Sequence, residues 1–336
     1  MKKQFKFYHG LILFGVVLAL MISVFSFAQY YFGIWGLAIT ELGFLAVTLA
    51  AGYIVSHRCE MPMKSIFPLN PPPIKQFFAG AFIYGGAYMA MIPVALLTQL
   101  LFPSMAEVTD NINSIGTQES AFITVIIMAV LPAICEETLH RGFILSSFKG
   151  SMRRADGSYR VAATVICMGA IFGLFHLDPY RFLPTAILGG AFAYIALKTD
   201  SMLLTMIFHF LNNLMSVVAI VAMDKAGAIA DQAAAAIEYT PAIIAGTCLI
   251  YIAAAVMLLF IGIRLFSSKR ASTLKIFAAV ISSIIIFAAG MTLTSVEAYR
   301  QMDSQGIDIF SQYGVIPDES AGGSDIIKND SILDQL

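Results

Sequence analysis

Long apolar runs separated by short polar joins dominate the chain, and nine of them approach or exceed membrane-crossing length. A spanning helix needs about 20 mostly apolar residues at a rise of about 1.5 Å each. On that measure the pattern predicts spans at 9–28, 33–56, 76–101, 120–148, 160–177, 181–198, 201–223, 240–266 and 273–295. The fourth is long enough to run partly along the inner surface. The sixth is short and carries Gly189-Gly190, so a re-entrant segment stands as the alternative to a full span. Asp178-Pro179 and Thr199-Asp200 mark joins, and Asn70-Pro71-Pro72-Pro73 is a stiff linker before the third span. The expected fold is an all-α polytopic transmembrane bundle. Residues 1–75 form N-terminal spans and a linker, and 76–295 form a core. Residues 296–336 form a polar tail, rich in Gly, Ser and Asp, for which disorder is expected. No internal repeat is evident, which weighs against an inverted-repeat transporter.

Composition agrees with lipid as the main solvent. Of 336 residues, 59% are hydrophobic and 12% are charged, whereas a soluble domain carries about 25% charge. A net charge of −1 gives no reason to expect a nucleic-acid partner. Cys59, Cys135, Cys167 and Cys248 form no C-x-x-C pair and lie in or beside apolar runs, so neither a disulfide framework nor a cysteine-bound zinc is expected. Lys2, Lys3 and Lys6 followed by an apolar run to Ser26-Phe27-Ala28 resemble a signal peptide. The preferred reading is an uncleaved first span, since a second apolar run follows at once.

Basic residues set the orientation. With the N-terminus in the cytoplasm, 15 of the 20 Lys and Arg residues fall on the inner side. Arg181, Lys225, Arg300 and Lys328 fall outside, and Arg141 lies within a span. The outer loop before the fourth span carries Glu107, Asp110 and Glu119 and no base. Nine spans place the C-terminus outside.

Charges at membrane depth cost about 2.5–3.5 kcal/mol each on insertion scales, so each needs a reason. They concentrate in three places. Late in the fourth span, Glu136-Glu137-Thr138-Leu139-His140-Arg141 places Glu137 and Arg141 four apart, able to pair on one face. Glu136 then points about 100° away, less easily neutralised, which makes it a candidate general base. His140, four from Glu136, is placed to hydrogen-bond it. The plain alternative is an ion-paired helix end, though two adjacent acids exceed what one ion pair needs. The second place is Phe172-Gly173-Leu174-Phe175-His176; a lone His of this kind is more often a satisfied core residue. The third is His209-Phe210-Leu211-Asn212-Asn213, where His209 and Asn213 share a face and both can donate to one oxyanion. A helix–helix hydrogen bond is its plain alternative. By helix rise His176 sits deeper than the other two sites, and would need a tilted or shortened fifth helix to join them.

These motifs, in this order, resemble the CAAX protease and bacteriocin-processing (Abi, or CPBP) family, whose pattern is EExxxR, FxxxH and HxxxN on separate transmembrane helices. The likeness covers roughly residues 120–220. It implies about eight core spans and peptide-bond hydrolysis within the membrane, with no cofactor. It implies that Glu136 and His176 activate water while His209 and Asn213 stabilise the tetrahedral oxyanion. Glu137 and Arg141 would support the helix and orient Glu136; Asn212 is the lesser donor. His140 stands where the family often has an aromatic residue, and its role and that of Phe172 are open. Zinc held by Glu136, His176 and His209 is the competing reading, although the chain lacks H-E-x-x-H and Asn is a poor zinc ligand. Two further classes compete. One is a non-catalytic scaffold or immunity-type protein that binds a peptide; the other is a solute or proton transporter. The expected partners are a membrane-embedded peptide or protein substrate and the lipid bilayer. The expected location is a bacterial cytoplasmic membrane.

Overall fold

The computed structural model describes residues 4–102, 114–117, 119–152, 160–235, 239–267 and 272–304. Glu107, Asp110 and tail residues 305–336 lie outside these, as do several of the basic residues that assign sidedness. Among the described residues the fold is all-helical, with one isolated antiparallel bridge between Leu69 and Ser201.

Among the described residues, nine apolar helices follow in order. They are α1 (Phe7–Phe32), α2 (Ile34–Cys59), α3 (Ile74–Leu101), α4 (Ala121–Lys149), α5 (Val161–Phe175), α6 (Phe182–Thr199), α7 (Leu203–Ala235), α8 (Pro241–Phe266) and α9 (Thr273–Ser304). Eight of these, among the described residues, are long and apolar enough to cross a membrane. This is a multi-pass membrane protein.

The expectation of nine full spans needs correcting at α5. Its 15 residues extend about 22 Å, against a hydrocarbon core of about 30 Å. The short element is therefore the fifth helix and not the sixth. The glycines that made α6 a re-entrant candidate serve packing instead. A Cβ on Gly189 would strike the side chain of Phe172, and one on Gly169 of α5 would lie 2.6 Å from the backbone oxygen of Ala186. Small residues thus let α5 and α6 touch backbone to backbone, the usual device where no hydrophobic force drives helices together. The α8–α9 contact uses the same means through Gly246 and Gly290. At the other end, α9 continues past residue 295 to Ser304, where Glu297 and Arg300 pair one turn apart. The first residues assigned to the tail are thus helical.

Burial ranks the helices. Of the most apolar stretch of α4, 56% is buried, against 11% for α9. The motif-bearing α4 is central, while α9 turns Ile281, Ile284 and Ile285 outward as a lipid-facing surface. Around α4 gathers an aromatic core of Phe5, Phe14, Phe44, Phe143, Phe148 and Phe175. A second core joins α3, α6 and α7, with Tyr84 stacked against Phe192 and Phe208.

Helix α4 is not uniform. Its turns widen to π geometry at Ile126–Val130 and again at Thr138–Ile144. The first widening precedes Pro132, whose missing N–H and bulky ring disrupt the regular ladder. The second begins directly after Glu137, and such wide turns are frequent at functional sites.

The linker between α2 and α3 does more than space them. Met202 N donates to the Pro68 oxygen (2.8 Å), Asn70 to the Asp200 oxygen (2.9 Å) and Ser146 to the Ile66 oxygen (2.9 Å). Lys149 pairs with Asp200 at 2.5 Å. These bonds strap the end of α4 to the α6–α7 turn and so set where α7 begins.

Candidate active site

Glu137 is fully buried. Its Oε1 accepts from Arg141 Nη1 at 2.7 Å, the pairing expected from their spacing, and from His209 Nδ1 at 2.9 Å. The second bond crosses from α4 to α7 and was not foreseen; Glu137 orients a histidine as well as supporting its own helix. Arg141 also donates from Nη2 to the Gly189 oxygen at 2.9 Å. Its guanidinium lies between two rings, 4.6 Å from the centroid of Phe172 and 5.2 Å from that of Phe192. Those faces attract the cation where water cannot reach it.

Glu136 is also buried, but differently served. Its Oε2 has no hydrogen-bond partner and stands 4.0 Å from His209 Nε2. That distance is too long for a direct hydrogen bond and short enough for one water oxygen to touch both. Each acid has an unpartnered Oε2, so the two neighbouring carboxylates are sorted by what holds them: Glu137 is gripped at Oε1 by a cation and an imidazole, while Glu136 faces His209 only across 4.0 Å.

Both remaining motif histidines direct Nδ1 onto their own helix. His140 Nδ1 donates to the backbone oxygen of Glu136 at 2.8 Å, not to its carboxylate as the spacing had suggested. His140 is fully buried against Phe172 and Phe175, with Nε2 unpartnered. His176 Nδ1 donates to the Phe172 oxygen at 2.9 Å. That bond fixes the neutral tautomer in which Nε2 carries the lone pair. His176 sits just past the end of α5, and the shortness of that helix answers the depth mismatch found in the sequence. Leu177 follows with φ 51°, turning the chain sharply toward Asp178.

Phe172 ties these groups together. Its ring centroid lies 5.0 Å from those of His140 and His176 and 5.7 Å from that of His209. One residue of the FxxxH motif therefore touches all three histidines and the arginine. On α7, Asn212 Nδ2 donates to Asn213 Oδ1 at 3.1 Å. Asn212, the lesser donor by spacing, instead orients Asn213 so that its NH₂ is the free end.

Sequence reasoning missed Glu41, a buried acid two turns into α2 whose charge acts on Glu136. It falls in no motif, and its neighbours within one turn are uncharged, so only the packing of α2 on α4 reveals it.

Two cavities flank the site. An apolar one of about 550 Å³ lies between α2, α4 and α7, lined by Leu45, Val130, Ile134, Met206 and Phe210 among others. A smaller one of about 380 Å³ lies at the α5–α6 turn beside His176, lined by Gly173, Leu177 and Asp178. Among the described residues no three or more His, Cys, Asp and Glu side chains gather closely enough to hold a metal ion.

Comparison with known proteins adds one finding. Residues 118–215 match the family model described as type II CAAX prenyl endopeptidase Rce1-like. The match spans less than a third of the chain and contains all three motifs, from Glu136 to Asn213. No curated protein and no solved structure matches.

Proposed function

We propose that this protein is an intramembrane endopeptidase that hydrolyses a peptide bond in a membrane-associated peptide or protein, using a water activated by Glu136 and His176. The match to a CAAX endopeptidase family supports the reaction class. The observation that carries the mechanism is the contrast between the two acids: Glu137 is bound at Oε1 by Arg141 and His209, whereas Glu136 has neither bond and its Oε2 stands 4.0 Å from His209 Nε2.

In this reading a water binds at the free oxygen of Glu136. His176, its Nδ1–H committed to Phe172, accepts a second hydrogen bond at Nε2 and aims the water at the substrate carbonyl. Glu136 takes the water's proton as the new C–O bond forms. The carbonyl oxygen becomes an oxyanion and receives an N–H from Asn213. His209 donates to it only as an imidazolium, because its Nδ1–H is already given to Glu137. As the C–N bond breaks, Glu136 returns its proton to the leaving amine, and the site is restored.

The apolar cavity beside α4 and α7 suits an aliphatic segment of the substrate. The chemistry assigned to these residues needs no metal. The excess of basic residues on one side supports a cytoplasmic N-terminus, and the proposed setting is a bacterial cytoplasmic membrane.

The test is cleavage of a membrane-peptide library by purified wild type and Glu136→Ala, with and without a chelator, read by mass spectrometry. Cleavage lost in the variant and kept in chelator is expected. Undiminished cleavage by Glu136→Ala would refute the assignment, and loss in chelator would favour the zinc reading.

A further inference from the structure

Glu41 lies two turns into a spanning helix with 8% of its surface exposed, and its Oε2 has no hydrogen-bond partner. A lone acid in that position costs stability, so a purely structural role would be better filled by an aliphatic residue.

Its placement follows from how α2 lies along α4. Ile34 and Ala38 of α2 pack with Ile127 and Leu131 of α4. One further turn along each helix brings Glu41 level with Cys135 and Glu136, and its charge acts on both. The other neighbours are apolar: Phe25 of α1 packs against Gly43, and Phe44 packs against Phe25 and Phe175. Glu136 is also faced by His209 of α7, by Glu137 and Arg141 of its own helix, which pair with each other, and by Arg181 just before α6. Glu41 and Glu136 are thus both buried on facing helices, each with an unpartnered oxygen, and neither is joined to a cation by a direct hydrogen bond: His209 Nε2 stands 4.0 Å from Glu136 and Arg181 acts on it through charge alone. Two carboxylates in such a place cannot both ionise, and the lower-energy arrangement is one proton held between them.

We propose that Glu41 is a positioning residue that shares a single proton with Glu136, its protonated carboxyl donating to Glu136 and holding that side chain toward His209. The consequence for cleavage rests on Glu136 being the base of the proposed protease. Before attack the pair carries one proton and one negative charge. When Glu136 takes the proton of the attacking water, both carboxyls become neutral, and the pair no longer holds charge in an apolar interior. When Glu136 hands that proton to the leaving amine, the singly protonated pair returns.

Infrared spectroscopy of the purified full-length protein at neutral pH reads the proton without any substrate. Wild type should show the carbonyl stretch of a buried protonated carboxyl, and Glu41→Gln should lose it. A wild type without this band, or a band kept in Glu41→Gln and lost in Glu136→Gln, would overturn the proposal. In a cleavage assay, Glu41→Ala should lower kcat about 10- to 100-fold with little change in KM, and should alter the acidic limb of the pH profile. Glu41→Gln, which keeps a donor, should recover most of the rate. Wild-type kcat and pH profile in Glu41→Ala would also overturn it. Failure of wild type to cleave would sink the protease reading while leaving the infrared result decisive.

Discussion

Glu137 of α4 and His209 of α7 are joined by a 2.9 Å hydrogen bond across 72 positions of sequence, on the same carboxylate oxygen that holds Arg141. This bond makes the two adjacent glutamates unlike in their expected response to mutation. Glu137→Gln strands a buried guanidinium and unseats His209. Breaking a buried pair in this way costs about 3–5 kcal/mol, so the variant should lose both thermal stability in detergent and activity. Glu136→Gln removes a charge that has no direct partner cation. It should keep or raise the melting temperature while abolishing cleavage.

His140 is a case where chemistry and burial point apart. Its Nε2 is unpartnered in a fully buried site, a cost of about 1–3 kcal/mol. His140→Phe removes that cost, gives up the bond to the Glu136 oxygen, and keeps the edge-on ring contacts. The expected outcome is near-wild-type melting with most of the cleavage rate retained. A loss as deep as that of His176→Ala, measured side by side, would instead make His140 a participant.

Gly189 tests the positioning of Arg141 without touching a titratable group. An added methyl meets the Phe172 side chain, the same ring that Arg141 covers and that three histidines contact. Overpacking of this kind costs about 1–3 kcal/mol. Gly189→Ala should therefore lower kcat while Glu136, His176 and His209 remain intact. Gly246→Ala, at the distant α8–α9 contact, is the control that should affect stability alone.

Asn213 and Asn212 should separate in the same way. Loss of one oxyanion donor costs about 10²- to 10³-fold in kcat, which is the expectation for Asn213→Ala. Asn212→Ala removes only the bond that orients Asn213, and its kcat should fall by a smaller factor. Equal losses would mean that Asn212 itself reaches the substrate.

Much of this was legible in the chain. Helix order follows from apolar run length, although α7 and α9 run on past the expected ends, and the Glu137–Arg141 pair follows from a spacing of four. The three motifs mark the helices that meet. What spacing does not carry is anything set by how helices lie against one another. Glu41 has no local partner to signal it, and the reach of His209 to Glu137 depends on the strap that sets the start of α7. The role of Gly189-Gly190 was misread because close packing and helix breaking call for the same residue. The π turn at Thr138–Ile144 leaves no periodic trace, so His140 was expected on the carboxylate of Glu136 rather than its backbone.

The short reach of α5 has a consequence for the lipid around it. Its neighbour α6, at 18 residues, spans about 27 Å, while α5 falls about 8 Å short of a typical hydrocarbon thickness. A bilayer meets such a mismatch by thinning locally, at a modest cost per ångström. The headgroup region and its water are thereby drawn inward beside the end of α5, toward His176 and the cavity at the following turn. A hydrolytic site enclosed by apolar helices would then receive its water from a dimple in the membrane surface, without any channel through the bundle.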